Sequence, residues 1–161
     1  MTPSAQPPRS VAHGVFTLER TYPTAPPQRV FDAFASAEGK SHWFTAPTDR
    51  WTVLERAMDF RVGGRERLEG RWSSGVVTRF DATYFDIVPG ARLVYAYEMH
   101  LDDRKISVSL ATFEFKPSGR GTKLVMTEQG AFLDGHDDNG SRERGSIELL
   151  DKLGAWLEGD G

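Results

Sequence analysis

One proline-free stretch, Ser141 to Leu157, constrains this chain more than any other. Ile147, Leu150, Leu153, Gly154 and Leu157 recur at spacings of three and four, which lines one face of a helix. Arg142, Glu143, Arg144, Glu148, Asp151, Lys152 and Glu158 supply most of a wet face opposite. A helix with one apolar stripe needs an apolar partner. The preceding stretch of about a hundred residues reads mostly as strands, so the pattern predicts a curved sheet closing around one long helix.

Length and composition fit one folded unit. A chain of 161 residues with 39% apolar residues and 11% aromatics can fill a single core. The expected organisation is a mobile tail over residues 1–13, rich in Pro, Ser and Gln, followed by one domain over residues 14–158. A net charge of -3, with basic residues spread along the chain, argues against a nucleic-acid partner. The absence of cysteine removes disulfides, thiolate nucleophiles and cysteine-based zinc sites together. No apolar run approaches the roughly 20 residues that span a bilayer, so no membrane partner is expected. Met1 to Ser10 lacks a hydrophobic signal core, which makes a cytoplasmic protein the default expectation.

Val15 to Tyr22 alternates as a first strand, with Phe16, Leu18, Arg20 and Tyr22 on one side. Three prolines between Pro23 and Pro27 end it, because proline has no amide to donate. Val30, Phe31, Phe34 and Ala35 then mark a short helix entered through Pro26 and Pro27, and Ala37 to Phe44 a second short helical segment. Gly39, Lys40 and Ser41 resemble the end of a phosphate-binding loop, but Phe34 stands where that loop requires glycine. Strands are expected over Arg50 to Met58, Arg65 to Trp72, Gly75 to Val88, Arg92 to Leu101, Lys105 to Lys116 and Thr122 to Gln129. Turn signals separate them at Gly63 and Gly64, Ser73 to Gly75, Pro89 and Gly90, Asp102 and Asp103, and Pro117 to Gly119. Ala131 to Gly140 reads as a loop. Hairpin-sized connections favour an antiparallel sheet.

An ordered set of short motifs carries a family resemblance. These are Val30 to Phe34, Trp43 and Phe44, Val62 to Gly64, Val88 and Pro89 with Arg92 to Tyr95, Gly121 to Leu124, and the late Leu150 and Leu153. Together they resemble the homologues of the activator of heat-shock protein 90 ATPase, within the START-like or SRPBCC superfamily, over about Phe16 to Leu157. The resemblance implies an α+β helix-grip fold, in which a bent antiparallel sheet grips the C-terminal helix and leaves an interior cavity. Two departures stand out. The family often has Gly-Trp near the start of the last helix where this chain has Gly145 and Ser146, and a strand glycine is replaced by Ala82. Loss of the indole is expected to enlarge or rewet the cavity.

Residues expected to line such a cavity are Trp43, Phe44, Trp72, Phe80, Tyr84, Tyr97, Met99, Phe113, Met126 and Ile147, with Ser146 beside them. Aromatic walls with a few polar tips suit a flat or apolar small molecule, though each ring also serves as plain core packing. Glu69, Arg71, Glu98, His100, Glu114 and Glu128 lie within otherwise apolar strands. His100 and Glu128 are the two singled out as ligand contacts, since a carboxylate or imidazole in a dry cavity acquires a shifted pKa. Arg61, Arg65 and Arg67 form a candidate anion clamp, with a solvated edge as the plainer reading.

His13, His42, His100 and His136 are too dispersed for a paired metal-ligand spacing, and the Asp-rich stretch around His136 reads as a hydrated loop. Neither a metal nor an organic cofactor is expected. No nucleophile elbow and no Ser, His and acid set is recognisable. Three functions remain open: a binding module for a small apolar or aromatic ligand, an enzyme of the polyketide cyclase, dehydratase or hydrolase type, and a chaperone-associated protein acting on a heat-shock ATPase. A homodimer through an exposed sheet edge is also left open.

Overall fold

A computed structural model describes residues 9–160. In chain order the elements are β1 (Val11–Tyr22), α1 (Pro27–Asp32), α2 (Ala37–Ser41), β2 (Trp51–Met58), β3 (Arg65–Trp72), β4 (Val77–Val88), β5 (Arg92–Leu101), β6 (Arg104–Ser118), β7 (Gly121–Leu133) and α3 (Asn139–Asp160). The strands form one antiparallel sheet in the order β1-β7-β6-β5-β4-β3-β2. The sheet is curved and unclosed, and α3 lies in its concave side. This is the α+β helix-grip arrangement.

Local chemistry explains most boundaries. Pro27 opens α1, where a missing amide is tolerated. Ser36 caps α2 by accepting from the Gly39 amide at 2.9 Å. Asp138 does the same for α3, accepting from the Ser141 amide at 2.8 Å. Gly90 takes the left-handed conformation (φ 73°) in the turn between β4 and β5, and Asp102 takes it (φ 54°) between β5 and β6. Register shifts at Val53/Glu55, Tyr84/Asp86 and Met99/His100 place irregularities on three strands, the kind of feature that bends a sheet.

Two boundaries differ from expectation for one shared reason. The first strand begins at Val11 rather than Val15, so Val11, Ala12 and His13 belong to the ladder and not to a tail. Their partners are Leu133, Phe132 and Ala131, because β7 runs on to Leu133 through residues expected in a loop. With β6 on its other side, that extension has its backbone groups paired from both directions. Arg9 and Ser10 continue past the strand to bond Asp134. The rest of the expected tail, residues 1–8, lies outside the described residues.

The core fills the space between the concave face and the helices. Val30 and Phe34 from the α1 region, Leu93 and Leu124 from the sheet, and Leu150, Leu153 and Leu157 from α3 are all buried. Full burial of side chains of this size contributes on the order of 1.5–3 kcal/mol each. The buried stripe of α3 begins at Ser146, with Ile147 only half-buried at its margin. No helix among the described residues is long and apolar enough to cross a membrane.

Candidate functional site

The first half of α3 does not fill the concavity above it. A hollow of about 960 Å³ remains between α3, the sheet and the segment that joins α2 to β2. Its sheet wall follows from strand parity: Phe80, Tyr97, Met99, Phe113 and Met126 all fall on the inner face. Trp43 and Phe44 close one side, and Trp72 with Trp51 stands at another. Ring contacts run continuously along this wall, from Phe44 to Phe80 at 5.0 Å and from Phe80 to Tyr97 at 4.8 Å. The Trp51 indole lies directly on Gly70 of the neighbouring strand, where a Cβ would come within 2.1 Å of the ring. Only a residue with no side chain accommodates that approach. Ser146 faces the hollow from α3.

One end of this apolar chamber is polar. Glu128 on β7 is buried, and its Oε2 accepts a hydrogen bond from the Tyr97 hydroxyl at 2.9 Å. The same hydroxyl accepts from Nη1 of Arg142 at 2.8 Å. Nη2 of Arg142 donates to Ser107 Oγ at 2.8 Å and to Asp137 Oδ2 at 2.9 Å. Burial pushes Glu128 up to about 7, against the opposing pull of Arg142 and of the Tyr97 hydrogen bond. The Tyr97 phenol is raised as well, chiefly by burial and then by the Glu128 charge. A carboxyl group that titrates near neutrality in a partly dry chamber can accept a hydrogen bond or exchange a proton at physiological pH.

A second buried polar cluster lies behind the aromatic wall. Lys40, the last residue of α2 but one, is 2% exposed and sets its Nζ 3.0 and 2.8 Å from the two oxygens of Glu66 on β3. The Tyr84 hydroxyl also donates to Glu66. The ammonium sits 3.9 Å from the ring centre of Phe44, so aromatic faces supply part of its remaining environment. Burial lowers the Lys40 pKa while Glu66 raises it. Sequence reading missed this pair. The available signal was parity, since Glu66 shares a strand face with Leu68.

Ten of the thirteen residues expected at the site line the hollow, and three do not. Tyr84 is on the inner face but its hydroxyl is spent on Glu66, away from the chamber. Ile147 packs at the edge of the core one position past the inward stripe. His100 is on the outer face opposite Arg79, because Tyr97 and Met99 point inward and the next alternate residue must point outward. Burial, followed by the Arg79 charge, holds its imidazole below the ordinary value. Arg142, expected on the wet face of the helix, instead reaches inward to Tyr97.

The remaining polar candidates are occupied elsewhere. Glu98 pairs with Lys105 and Glu114 with Lys116, while Arg71 is exposed. Arg61 pairs with Asp59 and Arg67 with Asp81, while Arg65 is exposed, so the first two are committed to separate partners. Among the described residues no group of three or more His, Asp or Glu side chains converges.

Comparison with known proteins places this geometry among relatives. Similar solved structures include an uncharacterized protein from Rhizobium leguminosarum, 45% identical over 93% of this chain and 97% of that one, with a TM-score of 0.87. The Mll3558 protein from Rhizobium loti is 44% identical, covers 91% of this chain and 98% of its own, and has a TM-score of 0.83. An AHSA1-like protein from Aeromonas hydrophila, 19% identical over 92% of this chain and 94% of its own, shares the fold with a TM-score of 0.70. A highly reducing polyketide synthase, sdnO of Sordaria araneosa, is 36% identical over 67 residues. That match takes in 40% of this chain and only 2% of the synthase. The family model described as Activator of Hsp90 ATPase homolog 1-like protein matches residues 24–158. The chain belongs to that family.

Proposed function

We propose that the hollow between α3 and the sheet binds a small apolar or aromatic molecule. The observation that carries this reading is a chamber of about 960 Å³, walled by rings and furnished with one buried carboxyl group. Chambers of roughly 300–1,000 Å³ with apolar walls and a few polar groups are the usual form of small-molecule sites. The rings supply burial area, and Glu128, Tyr97 and Arg142 supply orientation. A thermal-shift screen with flat apolar compounds tests the proposal. A ligand at about one hundred times its Kd stabilises the folded state by about 2.7 kcal/mol. A panel that leaves the melting temperature unmoved at high micromolar concentration overturns it.

A second reading is an enzyme of the cyclase, dehydratase or hydrolase type using the same chamber. What favours it is the position of Glu128, a carboxyl raised to about 7 beside the space a substrate would occupy. Turnover that disappears in Glu128→Gln while ligand binding persists distinguishes it from binding alone. Association with a heat-shock ATPase rests on the family description and ranks behind both.

A further inference from the structure

The polar end of the hollow restricts what can lie against it, and the inference drawn from this rests on the binding reading above. Glu128 is 2% exposed, and its Oε2 receives the Tyr97 hydrogen bond while Arg142 Nη1 stands 3.9 Å away. Among the described residues no donor reaches Oε1, and the carboxyl group belongs to the chamber wall. Oε1 is not sealed off but opens onto the hollow, where a donor on a guest can reach it.

Both terminal nitrogens of the neighbouring cation are engaged within the protein. Nη1 of Arg142 is committed to Tyr97 at 2.8 Å and Ser109 at 3.4 Å, and Nη2 to Ser107 at 2.8 Å and Asp137 at 2.9 Å. Glu128 and Asp137 face this guanidinium from β7 and from the entry to α3, and Tyr97 from β5 stays protonated. Two carboxyl groups therefore share one cation. A carboxylate guest placed against ionised Glu128 would meet a like charge at close range. A hydroxyl or N–H group would supply what Oε1 lacks.

We propose that the hollow takes an apolar or aromatic molecule whose polar end is a hydrogen-bond donor, a hydroxyl or N–H held by Glu128 Oε1, and that Glu128 in its ionised form turns carboxylates away. A donated hydrogen bond favours the ionised form of Glu128, whose free value is about 7. Binding therefore releases protons and tightens as pH rises through that value.

Calorimetry with naphthol, naphthoate and methylnaphthalene, which share a body and differ at one end, is the test. At about pH 8, where Glu128 is ionised, naphthol is expected to bind about tenfold or more tightly than either of the others. Its affinity is expected to rise about tenfold between about pH 6 and about pH 8, with protons released to the buffer. Glu128→Gln, checked for its fold by a thermal melt, is expected to narrow the lead to within about threefold and remove the pH dependence. The comparison among ligands on the unaltered protein stands whether or not the variant folds. Equal affinities, or tightest binding of naphthoate, overturn the donor inference and leave the chamber reading in place. No heat from any of the three overturns both.

Discussion

The molecule holds two buried polar clusters about a common aromatic wall, and they differ in whether they are closed. At Lys40, Glu66 and Tyr84 each charge meets its opposite and the phenol completes the set. At Glu128, Tyr97 and Arg142 one carboxylate oxygen is left facing open space. A charge pair sealed in the core ties elements together, here α2 to β3, and although Glu66 Oε2 accepts no hydrogen bond, none of the three residues opens onto the hollow. The open cluster has the residue types of the closed one, with arginine for lysine, and differs by an unmet acceptor beside a void. Burial of charge alone therefore does not mark a site. An unsatisfied valence beside room for a molecule does.

The largest expected effect breaks the closed cluster. Glu66→Ala leaves the Lys40 ammonium buried without its counter-ion and should cost about 3–5 kcal/mol in a urea unfolding experiment. Replacing Lys40 by Met and Glu66 by Leu together should restore most of that loss, since the desolvation penalty goes with the charges. The open cluster should instead declare itself through pH. The Glu128 carboxyl is raised in the folded state from 4.5 to about 7, so its favourable contribution is complete below pH 4.5 and is lost as pH rises to about 7. Relative to the wild type, Glu128→Gln should gain up to about 3 kcal/mol across that window, followed by chemical denaturation at several pH values.

Filling the void sharpens the comparison without replacing a residue of either cluster. Ser146→Trp puts an indole where the family often carries one, and it should shift stability by about 1–3 kcal/mol while abolishing ligand-induced thermal shifts. The same change should leave the effect of Glu66→Ala unaltered, because distant sites add. Smallest is the surface control. Asp151→Ala breaks an exposed pair with Arg20 and should cost under about 1 kcal/mol, less at high salt.

Much of this architecture was legible in the residues. Leu150, Leu153 and Leu157 announce the inward stripe of α3 by spacing alone, and strand alternation assigns Phe80, Tyr97 and Phe113 to the wall. Parity also argued against His100, which follows Met99 directly and so falls on the opposite face from Tyr97 and Met99. The polar members of the interior were harder to see. Arg142 reads as solvent-facing because periodicity weighs its charge and not its reach, and a guanidinium long enough to bridge to Tyr97 and Ser107 changes side. Lys40 and Glu66 stand 26 positions apart, and each is tolerable inside only because the other is there. No window on the sequence contains both.

The bare backbone of Gly70 beneath the Trp51 ring has a consequence for the shape of the hollow. Because the indole rests on the strand itself, the rim of the chamber at that point is set by the thickness of one ring on one peptide plane. A single methyl group at position 70 would lift the ring and reshape that part of the wall, leaving the polar floor unchanged. The shape of the rim and the polarity of the floor are therefore set by different residues, Gly70 with Trp51 for the one and Glu128 with Arg142 for the other.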